Sequence, residues 1–342
     1  MQVPLQIGEV EVRPGQRVTI DLPVTRLHTH IETTMPVQVI HSTRPGPRLF
    51  ISAVVHGDEI NGVEIIRRLL KLKLLNQLSG TLMVVPVVNA FGFIGRSRYL
   101  PDRRDLNRIF PGSPTGSLAA RLADLFMREI VANATHGIDL HTGSNHRTNL
   151  PQVRAYLNDF ETERLARAFG APVILNANLQ AGSLRQAAVT KGVCTLLYEG
   201  GEALRFDELA IRTGVRGIVA VMRAIKMLPT NPRSKLILEP VVARRRRWIR
   251  APGSGVLRTA VTLGARVAKG EVLGSIADPF GENEIDVRSS ISGIVIGRIN
   301  MPLVNEGEAL FHVARFENPQ NADKTLALFR TSFNQFLEQQ TK

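Results

Sequence analysis

Hydrophobic and polar positions change rhythm twice along the chain. Through residues 1–45, short apolar runs are broken by proline and glycine, which predicts an N-terminal β-rich segment of short extended pieces. From Leu49 onward strand-like and helix-like periods alternate: LFISAVV, a helix from about Asn61 to Gln77, TLMVVPVVN, a helix from about Ser117 to Ala132, then GIDLH. VRAYLN, VILNA and CTLLYEG continue the strands, with helices predicted near Asp159 to Phe169 and Phe206 to Met227. Such alternation predicts an α/β fold over residues 46–228 whose sheet is covered by helices on both faces. Functional residues are then expected on loops at the carboxyl ends of the strands.

The second change of rhythm follows LPTNPRSK, whose prolines and charges predict a linker over residues 229–243. Residues 244–316 show short apolar runs and frequent glycines with no helical period, so a small all-β domain is expected there. Its two halves echo each other, since SGVLRTAVTLGARVAKGEVLGSI and SGIVIGRINMPLVNEGEALFHVA both run Ser-Gly, strand, turn, Gly-Glu, strand. Beyond it, residues 317–342 carry Leu326, Leu328, Phe329, Phe333 and Phe336 at helical spacing, a C-terminal helix that packs on the body or on a partner subunit. The tail helix and the β-domain together predict a homo-oligomer.

Composition narrows the class. With 342 residues, 44% hydrophobic and 21% charged, the chain has the make-up of a globular protein, not of a disordered or fibrous one. Its start lacks the apolar run of a signal peptide, and the longest apolar stretch, LMVVPVVNAFGFIG, is short for a membrane span and contains Pro86. Neither a membrane partner nor a secreted disulfide scaffold is expected. The single Cys194 fits a reducing, cytoplasmic setting, and a cysteine-poor periplasmic protein would look the same. The formal charge of +13 raises two readings, a nucleic-acid partner or a basic enzyme with anionic substrates. Arginines are spread along the whole chain, and the one dense run, Arg244 to Arg247 before Trp248, has no recognisable nucleic-acid motif around it, so the second reading is preferred.

Four clusters bear chemistry, each at a predicted strand end. In VVHGDEING, His56 and Glu59 are three residues apart, so the turn leaving the strand aims an imidazole and a carboxylate at one point, donors that suit zinc. Alone, such a pair is more often an ordinary polar surface feature. DLHTG adds His141 from another strand end, which completes a His, Glu, His set with a coordination position left open. Asp139, two residues earlier, is placed to orient an imidazole. In TLLYEGG, Glu199 terminates an apolar strand, where it serves as a general base or else as a surface residue of a glycine turn. RSRYLPDRRDLNRIFPG places Arg98, Asn107 and Arg108 on one long loop, guanidiniums that suit a polarised carbonyl or a bound carboxylate.

With HGDEING, DLNRIFPG, DLHTG and YEGGE in this order, the chain resembles the succinylglutamate desuccinylase/aspartoacylase family of the zinc carboxypeptidase clan over residues 45–228. The resemblance implies a zinc-carboxypeptidase-like mixed sheet flanked by helices, with a small barrel-sandwich-like β-domain at the C-terminus. It implies one zinc per chain on His56, Glu59 and His141, with Glu199 as catalytic acid/base. Arg98 matches the arginine that stabilises the oxyanion, with Arg103 and Arg104 as neighbouring alternatives. Asn107 and Arg108 match the pair that holds a substrate carboxylate, Arg185 in AGSLRQAA the arginine that reads the acyl or side-chain end, and Arg154 in PQVR a further pocket residue. The β-domain also looks like a biotinyl/lipoyl carrier, but its central hairpin, IADPFGENEID, has no lysine to modify. Capping of the active site or assembly is expected of it instead.

The implied activity is a zinc-dependent amidohydrolase that cleaves a small anionic N-acyl amino acid by metal-activated water. Two alternatives differ in outcome: a carboxypeptidase would release residues from peptides, and a zinc-containing binding protein would hydrolyse nothing.

Overall fold

Strands that are to be covered on both faces carry near-continuous apolar runs, as LFISA, TLMVV and VILN do here. The structure, a computed structural model, describes residues 2–144, 146–230 and 239–316, together with 322, 324–329 and 331. The start is β1 (Leu5–Ile7) and β2 (Val10–Val12), an antiparallel ribbon, followed by two long strands, β3 (Arg17–Arg26) and β4 (Glu32–His41). The alternating region runs β5 (Arg48–Ala53), α1 (Asn61–Leu70), β6 (Thr81–Val85), α2 (Ala90–Ile94), α3 (Leu118–Glu129), β7 (His136–Gly143) and β8 (Arg147–Ala155). It continues with α4 (Phe160–Phe169), β9 (Val173–Asn176), α5 (Leu184–Thr190), β10 (Cys194–Glu202) and α6 (Glu208–Ala224). The last part is all strand: β11 (Val241–Arg250), β12 (Gly255–Thr259), β13 (Arg266–Val267), β14 (Val272–Ala277), β15 (Ile285–Arg288), β16 (Gly293–Ile299), β17 (Leu303–Val304) and β18 (Ala309–Phe316).

Alternation along β5 decides the layering. Leu49, Ile51 and Ala53 enter one core with Ile65 and Leu69 of α1 and Ile218 and Met222 of α6, whereas Phe50 enters the other with Leu122 and Phe126 of α3. Helices therefore cover both faces, as the alternating pattern requires. The helix expected over Asn61 to Gln77 ends at Leu70. Leu72 is extended, and a short 3-10 turn over Lys73–Gln77 lets Leu75 and Leu78 reach the core. The other helices begin one or two residues later than the periodicity suggests, because a residue at the opening of each pattern serves as its cap: Ser117 accepts from Ala120 N at 3.3 Å, Asp159 from Thr162 N at 2.7 Å and Asp207, one residue after Phe206, from Ala210 N at 2.9 Å.

The main sheet has twelve strands in the order β13-β16-β18-β11-β9-β8-β10-β7-β5-β6-β4-β3. It is mixed: β6, β5, β7 and β10 run parallel, and β8 is antiparallel to β10. Three neighbouring parallel strands, β5, β7 and β10, thus end on the same edge. In the C-terminal part, β12, β14, β15 and β17 form a four-stranded sheet with a core of its own, including Leu257, Leu273, Val295 and Phe311. The opposite wall of that core is not separate, since β11 pairs with β9, and β16 pairs with β8 through Gly297 and Asn149. Residues 231–238 of the expected linker lie outside the described residues, as do Phe333 and Phe336 of the expected tail helix. Of the tail positions described, Leu326 and Phe329 are buried and Leu328 is exposed. Among the described residues, no helix is long and apolar enough to cross a membrane.

Gly57 follows His56 where the chain leaves β5, and a Cβ there would lie 1.9 Å from the carbonyl carbon of Gly92. That neighbour is backbone and cannot turn away. Gly57→Ala is therefore expected to destabilise the fold by about 1–3 kcal/mol, read as a lower denaturant midpoint. An unchanged midpoint would contradict the close approach.

Candidate active site

Strain marks the first strand end. Val54, between β5 and His56, has a φ of 57°, a left-handed value that a β-branched residue adopts only when its surroundings impose it. Val54 O accepts from Asn89 N at 2.9 Å, which anchors the kink to the next strand's loop. The turn delivers His56 and Glu59 into the interior. Near the carboxyl end of β7 stands His141, whose neighbour in parallel register on β10 is Glu199. Asn61, which opens α1 after the first turn, ties that turn to the far end of β10: its Nδ2 donates to Gly200 O at 3.2 Å, and its Oδ1 accepts from Asp207 N at 3.0 Å. The irregularity in β10 after Glu199 allows this because Gly201, at a φ of 76°, carries no Cβ; one would lie 2.4 Å from Asn61 Nδ2.

Glu59 is 2% exposed, and its carboxylate bridges both imidazoles, with His56 Nδ1 at 2.8 Å and His141 Nδ1 at 2.7 Å. Each imidazole uses its other nitrogen on a second carboxylate: His56 Nε2 is 3.0 Å from Asp105 and His141 Nε2 is 2.6 Å from Asp139. Asp139 is itself held by Ser52 Oγ at 2.7 Å. Both Nδ1 atoms therefore face inward with Glu59, in a buried group whose donor atoms lie within 4.8 Å of one another. Two nitrogens and a carboxylate oxygen, each imidazole backed by a carboxylate, are donors that suit zinc. With the imidazoles neutral, the carboxylates touching them outnumber the single guanidinium of Arg98 by two charges, which a divalent cation balances.

Burial works against the charges of this cluster, but their mutual attraction wins. Burial pushes the Glu59 carboxyl up, yet His56 and His141 hold it well below the ordinary value. Burial pushes His141 down, and the charges of Asp139 and Glu59 raise it well above its ordinary value. His56 is raised in the same way by Glu59 and Asp105. Asp105 is pulled low against its burial by His56 and Arg98.

A cavity of about 290 Å³ opens beside the cluster and is lined by His56, Glu59, His141, Glu199, Asn107 and Trp248, with six arginines. These are Arg98, Arg108, Arg147, Arg154, Arg185 and Arg246. Every site residue expected from the sequence lines this cavity. Arg98 donates to Glu59 at 3.1 Å and to Asp105 at 3.0 Å, whereas Arg103 and Arg104 do not line the cavity and Arg104 pairs with Asp102. Asn107 spends its Oδ1 on Leu184 N at 2.9 Å, which leaves the amide nitrogen to donate. Arg154 Nε lies 2.5 Å from Glu199 Oε2, and Gln152 Nε2 donates to the same oxygen at 3.1 Å. Arg185 is buried, with Nη2 on Asn178 O at 2.8 Å.

Sequence reasoning missed Asp105, Gln152, Arg147, Arg246 and Trp248. Asp105 opens the DLNRIFPG motif, two residues before Asn107, and only the structure shows it facing His56 and Arg98. Gln152 directly precedes the PQVR pair Val153 and Arg154. Arg246 and Trp248 are two apart on one strand, so period-two reasoning applied to the arginine run would have put them on one face.

Two predictions test this geometry. The chain should bind one zinc, and Asp139→Asn, which removes a charge behind His141, should weaken that binding by about 10- to 100-fold in competition with a chelator. Unchanged affinity would contradict the supporting role of Asp139. The second prediction concerns His312, which stacks on Trp248 with ring centroids 4.4 Å apart. Burial, with Arg154 and Arg246 nearby, pushes His312 down to about 3. The unfolded chain binds this proton below its usual value near 6.5 and the folded chain does not, so stability falls as pH drops through that window. Between pH 6.5 and 5, His312→Phe should lose about 1.5 kcal/mol less stability than the parent. Parallel acid limbs in the two denaturation series would contradict this.

A family model for the succinylglutamate desuccinylase/aspartoacylase catalytic domain matches residues 45–225. The chain is 27% identical over 296 residues to the N-alpha-acetyl-L-2,4-diaminobutyric acid deacetylase of Halomonas elongata, covering 82% of this chain and 85% of that one. Among solved structures, a succinylglutamate desuccinylase/aspartoacylase from Rhodobacter sphaeroides superposes with a TM-score of 0.79 at 25% identity, over 89% of this chain and 97% of that one. The product-bound ectoine utilization protein EutE (DoeB) of Ruegeria pomeroyi shares the fold, with a TM-score of 0.81 at 24% identity over 92% and 99% of the two chains. With its motifs converging at the strand ends of this mixed sheet, the chain belongs to the succinylglutamate desuccinylase/aspartoacylase family.

Proposed function

We propose that this protein is a zinc-dependent deacylase that hydrolyses the amide of a small N-acyl amino acid. The observation that carries this reading is the register of β7 and β10, which sets Glu199 beside His141 so that a second carboxylate faces the cavity of the His56, Glu59, His141 set. The name of the Halomonas elongata relative, an N-acetyl amino acid deacetylase, supports the same substrate class. When bound by His56, Glu59 and His141, zinc supplies the positive charge that acidifies water and polarises a carbonyl.

The remaining chemistry falls to the chain's own side chains. Glu199, oriented by Gln152 and Arg154, accepts the proton of the attacking water and returns it to the leaving amine. Arg98, fixed by Asp105 and Glu59, directs positive charge at the developing oxyanion. The amide nitrogen of Asn107 and the guanidinium of Arg108 hold a substrate carboxylate. A carboxylate and a free amine leave.

Glu199→Gln keeps the shape and removes the base. It should lower kcat on N-acyl amino acids by about 10²- to 10⁴-fold while the zinc content stays at that of the parent. Full activity in this variant would refute the assignment. Turnover of peptides alone by the parent would move the protein to the carboxypeptidase reading.

A further inference from the structure

The arginine run on β11 has a second face. Arg246 and Trp248 turn toward the catalytic cavity, so Arg245 and Arg247 turn the other way, and the register of β11 with β18 sets Arg315 directly opposite Arg245. The four arginines of the run, Arg315 and Ile291 line a groove of about 570 Å³. A neighbouring groove of about 460 Å³ shares Ile291 and Arg315 and adds Arg266 and Lys269. None of Arg245, Arg247, Arg315 and Ile291 lines the catalytic cavity. Among the described residues neither groove is lined by a carboxylate, and Arg245, Arg247 and Arg315 make no ion pair or side-chain hydrogen bond. Like charges directly opposite one another weaken a strand pair, so an arginine facing an arginine with no acid between them calls for an anionic occupant.

Its complement stands on the same small domain. The hairpin that joins β14 to β15 carries Asp278, Glu282, Glu284 and Asp286, and Phe280 at its tip is 89% exposed. The tip is shaped by Asp278, whose carboxylate accepts from Phe280 N at 3.0 Å and from Glu282 N at 2.9 Å. Among the described residues only Arg288, on the hairpin's own strand, pairs with one of these carboxylates, that of Asp286. Groove and hairpin stand too far apart to meet within one chain. β11 rises about 17 Å between Arg245 and Arg250. The hairpin stands beyond that end, where Ile285 lies beside Gly253.

We propose that Arg245, Arg247 and Arg315 form a docking groove for the β14–β15 hairpin of a second copy of this chain, so that the protein self-associates through its C-terminal β-domain. Glu282 and Glu284 of the second copy meet the guanidiniums, and its Phe280 ring meets Ile291 or the face of a guanidinium. Pairing about a two-fold axis makes the contact twice. Self-association of this kind goes beyond the deacylase reading and does not depend on it.

Sedimentation of the full-length protein provides the test. The parent should self-associate, and more weakly as salt rises. Arg245→Glu with Arg315→Glu, and separately Glu282→Lys with Glu284→Lys, should each weaken association by about 100-fold, because every contact then sets like charges together. Mixed in equal amounts, the two variants should recover an assembly of the parent's mass, since the acidic groove of one meets the basic hairpin of the other. Phe280→Ser should weaken the parent's association by about tenfold. A parent that sediments as a monomer, or an assembly unmoved by both charge reversals, overturns the proposal. So do two variants that keep the parent's denaturant midpoint and fail to pair on mixing. A monomeric parent that retains DNA, and loses it with Arg245→Glu and Arg315→Glu, would give the groove to nucleic acid instead.

Discussion

The buried carboxylate of Glu59 is the interaction on which the site depends. It accepts from the Nδ1 side of both His56 and His141, which reach it from the ends of two adjacent parallel strands. A charge with almost no exposure is tolerable only when its partners are fixed, and here each partner is fixed in turn, His56 by Asp105 and His141 by Asp139. The backbone contributes too, through the Val54 kink and the glycine-to-glycine approach of Gly57 and Gly92, and the Asn61 side chain bridges to Gly200, next to Glu199 on β10. Parallel pairing makes this possible, because it ends β5, β7 and β10 on one edge of the sheet.

Around that centre the charge changes sign. The ligand cluster is rich in carboxylates, whereas the rest of the cavity wall is rich in guanidiniums from the loop after α2, from β8, from α5 and from β11. A cavity so divided suits a cation at its floor and an anion above it. Part of the chain's basic excess is thereby accounted for, since six of its arginines line this one cavity. The C-terminal strands take part directly: β11 extends the main sheet beside β9 and carries Arg246 and Trp248 into the wall.

Much of this was legible in the sequence. Several of the strands, LFISA, TLMVV and VILN among them, are apolar at nearly every position and the helices keep a clear period, so the α/β layering is readable from patterning. The site residues were legible because each motif sits at a strand end, and parallel strand ends meet. Other features were not. The break in α1 at Leu72 has no proline or glycine to announce it, and tertiary burial of Leu75 and Leu78 decides it. The role of Arg246 was hidden because four successive arginines read as one charged block until a strand divides them by face. Asp105 was passed over because a carboxylate beside arginines reads as a surface ion pair.

The measurement that tests the central claim most directly is amine release from an N-acyl amino acid by the purified protein, followed through removal of its metal with a chelator and return of one equivalent of zinc. Release that disappears with the metal and is restored by zinc is the result predicted for a site built on His56, Glu59, His141 and Glu199. Release that persists undiminished after the metal has been removed would contradict it.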